Sequence, residues 1–226
     1  MRTIAIIPAA GMGKRINSPL PKQFVRVNGK EIIAHTLSIF QNNKEISEII
    51  VSTRPEFFDL LEDIKKNYGF NKLTRIVKGG KERQDSVFAA LSASGANNDN
   101  LIAVHDAARP LLSQNLLSET IAAAKKYGAV VTAIKAKDTL IEGNDEVENY
   151  LDRNKVYYAQ TPQIFKYEIL FNSMKKAYEE KFTGTDESML VKKYSGYVKI
   201  VEGETVNFKI TTNSDLKLFE KIIQSD

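Results

Sequence analysis

The sequence predicts an α/β fold: a mostly parallel sheet covered by helices on both faces. Three observations carry this. Short apolar runs recur without polar alternation, at Ile4–Ile7, Glu48–Thr53, Leu101–His105 and Ala129–Ile134. Between them lie stretches with apolar residues three and four apart, such as Ile33, Leu37 and Phe40. The joins are short. Strands buried on both faces belong to parallel sheets, whose crossovers are helices.

The 226 residues suffice for one large α/β domain or two small ones. No repeat, low-complexity segment or linker divides them, so one domain over 1–226 is expected, with a β-hairpin arm at about 137–152. With 42% apolar and 27% charged residues, disorder is excluded. The net charge of +4 suits a small anionic ligand. Acids and bases are interspersed, so no nucleic-acid partner is expected. The absence of cysteine rules out disulfides, thiolate catalysis and cysteine-bound zinc. Ile4–Ile7 is too short for a signal-peptide core, and no apolar stretch approaches the ~18–20 residues that span a bilayer. A cytoplasmic chain without membrane contact is expected.

The first strand, Ile4–Ile7, stops at Pro8. The turn Ala9-Ala10-Gly11-Met12-Gly13 follows, then Lys14, Arg15 and, seven residues on, Lys22. Small residues let a polyanion approach backbone N–H groups, and neighbouring cations neutralise it; the loop therefore predicts a phosphate cradle. It lacks the third glycine of GxGxxG, where Ile16 stands, and the GK[ST] ending of a P-loop. Phe24–Val27 with Asn28-Gly29 predicts a brief strand and turn, and Glu31–Phe40 a helix. After the strand Glu48–Thr53, Pro55 sits well in a helix's first turn, with Phe57, Leu60, Leu61 and Ile64 as its stripe. The strand Thr74–Val77 ends at Gly79-Gly80, and a helix runs from about Arg83 to Ser94. Leu101–His105 ends in the polar cluster His105-Asp106-Ala107-Ala108-Arg109-Pro110. Ser113 caps a helix that Gly128 closes, and Ala129–Ile134 is a further strand.

The pattern then changes. Lys137–Tyr150 alternates around Gly143-Asn144-Asp145 and predicts a β-hairpin, either an exposed flap or one covered by another chain. Val156–Gln160 predicts a strand ending at Thr161-Pro162-Gln163. Tyr167–Tyr178 predicts a helix, and Thr183–Glu187 a polar turn that caps another. Val198–Val201 and Val206–Ile210 are expected as late strands. Thr212 with Asp215 resembles a capping box for a last helix carrying Leu216, Phe219 and Ile223.

Ligands of such sheets bind at the carboxyl ends of the strands. Three polar loops follow strand ends here: Ala9–Lys22, Gly79–Ser86 and His105–Pro110. Topology brings them to one edge. Arg15 and Lys22 are candidates for binding phosphate charge. Asp106 is either a carboxylate paired with Arg109 or a ligand of Mg²⁺, which on nucleotide phosphates keeps waters and takes only one or two carboxylates. His105 reads as a packed strand-end histidine rather than a base, and His35 as structural. Gly80 with Ser86 either caps a helix or reads a base edge. From pattern alone, Arg153 and Lys209 are surface charge, and Thr183-Gly184-Thr185-Asp186 is a turn. No HxH or HExxH spacing supports a zinc site, and no GxSxG elbow supports a nucleophilic hydrolase.

Six motifs, in order, resemble the 2-C-methyl-D-erythritol 4-phosphate cytidylyltransferase family: PAAGMGKR with PLPKQF, GGKERQDSV, VHDAARP, AQTPQIF, TDE and EGETVNFKIT. The resemblance runs from Ile4 to the last helix. It implies a Rossmann-like nucleotidyltransferase fold. It implies that CTP and 2-C-methyl-D-erythritol 4-phosphate give the CDP-linked alcohol and pyrophosphate, with Mg²⁺ or another divalent cation, in non-mevalonate isoprenoid biosynthesis. By the same resemblance, Arg15 and Lys22 are transition-state cations, and Arg153 and Lys209 position the sugar phosphate. CTP binding falls on Ala9, Ala10, Gly11, Gly13, Gly80 and Ser86, largely through backbone. Asp106 and Ala107 join them in the ribose, phosphate and metal region. Arg109, Thr161 and Thr185 fall near the sugar phosphate. The hairpin becomes an arm that embraces a second subunit in a homodimer, with Arg153 reaching the partner's site. Lys81 stands where many relatives carry an acidic residue, so a side-chain role there does not carry over.

Ribitol 5-phosphate cytidylyltransferases share PKQF and TPQ but usually read HDSVRP. This chain has HDAARP, which favours the erythritol substrate. A non-catalytic nucleotide-binding regulator would not need Arg15, Lys22 and Lys209. An NAD-dependent oxidoreductase fails on the missing glycine and on Ser52-Thr53, where an acidic residue should end the second strand.

Overall fold

The first strand shows why an unbroken apolar run is needed. β1 (Thr3–Pro8) turns Ile4 and Ile6 to one layer of helices and Ala5 and Ile7 to the other. Successive strand side chains point to opposite faces, so a strand covered twice is apolar at every position. Each fully buried isoleucine contributes roughly 1.5–3 kcal/mol of transfer free energy. The structure, a computed structural model, describes residues 1–13, 16 and 18–224.

A 3₁₀ turn at Lys22–Phe24 leads into a small ribbon, β2 (Arg26–Val27) and β3 (Lys30–Glu31). Its turn residues Asn28 and Gly29 both have positive φ, 50° and 74°, as a tight hairpin turn requires. There follow α1 (Ile32–Asn42), β4 (Ile46–Thr53), α2 (Phe58–Tyr68), β5 (Leu73–Lys78), α3 (Arg83–Ala93), β6 (Leu101–Val104), α4 (Gln114–Tyr127) and β7 (Ala129–Lys135). Pro55 opens the 3₁₀ turn before α2. Ser113 caps α4 by accepting from the Leu116 N–H, and Gly128 closes it at φ +80°. Next come the hairpin β8 (Leu140–Gly143) and β9 (Val147–Leu151), β10 (Tyr157–Lys166), α5 (Tyr167–Glu179), α6 (Glu187–Ser195), β11 (Lys199–Glu202) and α7 (Asn213–Gln224).

The central sheet has seven strands in the order β11-β7-β10-β6-β1-β4-β5. All run parallel except β10, which is antiparallel to both β6 and β7. Helices α1, α2 and α4 cover one face through Leu37, Leu61 and Leu117; α3, α5 and α6 cover the other through Val87, Met174 and Leu190. A third cluster packs Phe219 of α7 on Val27, Ile32 and Ile210. It anchors the C-terminal segment beside the carboxyl edge of the sheet.

Two sequence expectations are corrected. The strand expected to stop at Gln160 continues to Lys166 as β10. Its pairing with β7 is interrupted between Ala159 and Gln163, so Pro162, which has no N–H to donate, falls where the ladder is already broken. Val206–Ile210 is not a strand. Its alternation arises from Phe208 and Ile210 packing on α7. Its carbonyls meet side chains and its amides meet turns and loops: the Asn207 oxygen accepts from Arg109, and the Ile210 N–H donates to the Ala108 oxygen. The expected capping box of the last helix is present: the Thr212 N–H donates to Asp215 Oδ2, and the Asp215 N–H to Thr212 Oγ1.

Candidate active site

Because β1, β4, β5 and β6 are parallel, Pro8, Thr53, Lys78 and Val104 end on one edge. β10 runs the other way, so its Gln160 and Thr161 arrive at that edge too. A cleft of about 270 Å³ opens there.

Its first wall is the loop after β1, which contributes Ala9, Ala10, Gly11 and Gly13. The loop is held from behind. Gln23 donates its amide to the Ala9 and Gly11 oxygens at 2.6 and 3.0 Å, and the Thr53 hydroxyl donates to Ala9. Gly13 has φ +61°, and a Cβ there would lie 2.9 Å from Lys22 Cγ. That close approach brings Lys22 against the loop, with its Nζ donating to the Ile210 oxygen at 2.7 Å. Gly11 differs: its φ is ordinary and a Cβ would meet nothing within 4 Å.

The second wall is the turn before α3. A Cβ on Gly79 would lie 2.6 Å from that of Ala10, and one on Gly80 would overlap Asp85 Cβ. Glycine is thus required for α3 to begin so close to the first loop. Glu82 and Asp85 form a reciprocal capping box. The Gly80 N–H donates to Ser86 Oγ at 3.1 Å, and that hydroxyl donates to the Glu82 oxygen. The capping reading of Gly80 and Ser86 is therefore met, and both residues also line the cleft. With its proton engaged, Ser86 Oγ keeps one lone pair, suited to accepting from an exocyclic amine.

The floor holds Asp106 and Ala107, and the far rim Lys209. Asp106 is buried. Its Oδ1 meets Arg83 Nε at 3.2 Å; its Oδ2 meets Lys209 Nζ at 3.0 Å and Arg109 Nε at 3.4 Å. Burial alone would raise this carboxyl, but Arg83, Lys209 and Arg109 outweigh it and hold the group far below the ordinary carboxylate range. Arg83 also donates through Nη1 to both oxygens of Glu187 at 2.7 Å. Burial pushes the Glu187 carboxyl up, and Arg83 pulls against it.

His105 is fully buried and does not line the cleft. Its Nε2 lies 3.0 Å from the Arg109 carbonyl, which only accepts, so Nε2 carries the proton. Its Nδ1 then accepts from the Thr161 hydroxyl, whose oxygen in turn accepts from the Asp106 N–H. Burial, the largest cause, lowers its pKa to about 4, so the ring is neutral. It is the packed histidine the sequence suggests.

The structure thus brings Ala9, Ala10, Gly11 and Gly13 together with Lys22, Gly80, Ser86, Asp106, Ala107 and Lys209. Arg15 lies outside the described residues. Arg109 stands behind the floor, donating to the Asn207 and Ala159 oxygens as well as to Asp106. Thr161 is buried beneath Asp106. Thr185 is exposed before α6, its hydroxyl 3.6 Å from Met189 Sδ. Arg153 is exposed after the hairpin and donates to the Lys137 oxygen. Among the described residues no three of His, Cys, Asp and Glu cluster as a metal cage. Two carboxylates, Glu82 and Asp106, line the cleft, and both oxygens of Asp106 are already engaged by Arg83, Lys209 and Arg109, the pairing with Arg109 that the sequence offered as one alternative. Sequence reasoning missed Gln23 and Glu187. The PKQF and TDE motifs contain them, but no spacing says what they touch.

A family model described as IspD, 2-C-methyl-D-erythritol 4-phosphate cytidylyltransferase, matches residues 3–225. The chain is 39% identical to the 2-C-methyl-D-erythritol 4-phosphate cytidylyltransferase of Clostridioides difficile (strain 630), over 98% of this chain and 93% of that one. It is 36% identical to that of Bacillus licheniformis, over 98% and 95%. Its fold is similar to the crystal structure of 4-diphosphocytidyl-2C-methyl-D-erythritol synthase from Anaerococcus prevotii, with a TM-score of 0.86, 34% identity and coverage of 99% and 96%. The cytidylyltransferase of Thermus thermophilus superposes with a TM-score of 0.81 at 30% identity, over 97% and 98%. A match to the family model over residues 3–225, with relatives 36–39% identical across nearly the whole length, means that this chain belongs to the 2-C-methyl-D-erythritol 4-phosphate cytidylyltransferase (IspD) family.

Proposed function

We propose that the chain transfers the cytidylyl group of CTP to 2-C-methyl-D-erythritol 4-phosphate and releases pyrophosphate, as its family's name describes. The observation that carries this is the cleft itself: a loop of small residues, Lys22 and Lys209 face one space around an ionised Asp106. A phosphate oxygen of the sugar phosphate attacks the α-phosphorus of CTP in line; the new P–O bond forms as the bond to pyrophosphate breaks. A phosphate monoester is already an anion at neutral pH, so no general base is required, and the buried neutral His105 takes no part. The obstacle is repulsion between anions. Lys22, together with Arg15 by its motif, offsets charge at the α-phosphate, and Lys209 receives the sugar phosphate. Positioning and electrostatics carry such reactions. A divalent cation would reach Asp106 only where Lys209 or Arg109 gave up Oδ2, and what it would supply is neutralisation of triphosphate charge.

The arm is read as a dimerisation device on the single domain. β8 and β9 pair only with each other in the described sheets, and Ile141, Val147, Tyr150 and Leu151 stand exposed on them. Ile141 and Tyr150 are cross-strand partners on one face, and Val147 and Leu151 lie on the other; an arm apolar on both faces suits insertion against another chain, and a second copy of this chain is the proposed occupant. The arm leaves from the same edge as the cleft, which supports a role for Arg153 in the partner's site. Among the described residues no helix is long and apolar enough to cross a membrane.

The test is a competition. The chain is incubated with CTP, Mg²⁺ and equimolar 2-C-methyl-D-erythritol 4-phosphate and ribitol 5-phosphate, and the CDP-linked product is identified by mass. Predominance of the erythritol product supports the proposal; predominance of the ribitol product, or no product, contradicts it.

A further inference from the structure

Glu187 opens α6, is 1% exposed, and does not line the cleft. The transfer chemistry does not call for it. Yet Arg83, which lines the cleft, gives both Nη1 contacts to Glu187 and its Nε to Asp106 Oδ1. The line Glu187–Arg83–Asp106 runs from the start of α6, through the start of α3, to the end of β6. At its far end Asp106 Oδ2 faces Lys209 and Arg109.

The placement is informative. A helix start favours an anion and disfavours a cation. Glu187 is the first residue of α6 and suits it; Arg83 is the first residue of α3 and does not. An arginine there is retained between two carboxylates. Asp106 divides its charge among Arg83, Arg109 and Lys209, so Glu187 is the stronger anchor. Loss of the Glu187 contacts would leave the Arg83 guanidinium, among the described residues, with its Nε contact to Asp106 Oδ1 alone.

We propose that Glu187 is a positioning residue for cytidylyl transfer: it fixes Arg83, which fixes the Asp106 carboxylate with Oδ2 directed at Lys209. The proposal rests on the cytidylyltransferase reading. A double-mutant cycle tests it, with Glu187→Gln, Arg83→Gln and the two combined. The readout is kcat per folded molecule, measured well below the unfolding midpoint, which a purely structural role would leave unchanged. Each single variant is expected to lose about tenfold, and the double variant no more than the worse single. Losses that multiply in the double variant, or a Glu187→Gln kcat within twofold of the parent, overturn the proposal. The double variant carries no unpaired charge; where Glu187→Gln does not fold, Glu187→Asp replaces it in the cycle. Where the parent chain transfers nothing, the cytidylyltransferase reading fails. The same cycle is then read from the Kd for Mg·CTP by calorimetry, where the same non-additivity is expected and additive or absent effects overturn the positioning role.

Discussion

Lys209 Nζ lies 3.0 Å from Asp106 Oδ2, tying the C-terminal segment to the end of β6. The pair connects the part of the site assigned to the nucleotide with the part assigned to the sugar phosphate. Its two members are placed differently: Asp106 is buried, while the Lys209 side chain is 36% exposed.

That asymmetry makes a prediction about stability. Asp106→Asn leaves Arg83, Arg109 and Lys209 around a neutral amide and is expected to cost about 3 kcal/mol, because breaking a buried pair strands its partners. Lys209→Ala, at the solvent edge, is expected to cost no more than about 1 kcal/mol. Urea unfolding measures both. Equal losses would contradict the assignment of Asp106 as the centre of the cluster.

The two glycine sites should separate packing from ligand binding. Gly80→Ala forces Asp85 to move and breaks the start of α3, so a loss of about 1–3 kcal/mol is expected from overpacking. Gly11→Ala meets nothing and should leave the thermal midpoint unchanged. Its space is assigned to a phosphate, so its Kd for CTP should rise about tenfold, the weight of one charge-assisted hydrogen bond. Unchanged CTP affinity in Gly11→Ala would remove the loop from the binding site.

His105 sets a pH dependence. Its folded pKa is depressed to about 4 from an ordinary 6.5, so the unfolded chain binds the extra proton between these values. The stability it contributes is fully present above pH 6.5 and is lost as pH falls toward 4, amounting to about 3 kcal/mol over the shift. The chain has two histidines, so a His35→Gln background isolates the ring signal of His105 in an NMR titration. A midpoint near 4 is expected; one near 6.5 would show that the ring is not the neutral, buried link between Thr161 and the Arg109 carbonyl.

The arm makes a prediction for substrate preference. Arg153→Ala is expected to raise KM for the sugar phosphate more than for CTP, and Tyr150→Glu to yield monomers in sedimentation. A larger effect of Arg153→Ala on CTP, or a Tyr150→Glu dimer, would count against the arm's assigned role.

Much of this arrangement is legible in the sequence because it is local. Strand ends, Gly79-Gly80 and the loop after Pro8 are contiguous signals, and parallel topology alone gathers them at one edge. Three things are not legible. The ion pair of Arg83 and Glu187 joins two helix starts with no shared periodicity. Gln23 props the first loop through its side-chain amide, and no spacing rule marks such a bond. Val206–Ile210 shows a strand's alternation, yet Phe208 and Ile210 face α7 rather than a neighbouring strand. Contacts made across the fold, unlike periodicity, leave no local trace.

The central claim is that cations around the cleft, not a general base, carry the transfer. Lys22 tests it most directly, since it lies against the glycine loop and faces the cleft. The measurement is the rate of pyrophosphate release from CTP at saturating 2-C-methyl-D-erythritol 4-phosphate and Mg²⁺, in the parent chain and in Lys22→Ala. By analogy with a lost oxyanion donor, a fall of about 10²–10³ in kcat with the fold retained is predicted. A folded Lys22→Ala chain turning over within a few-fold of the parent would contradict it.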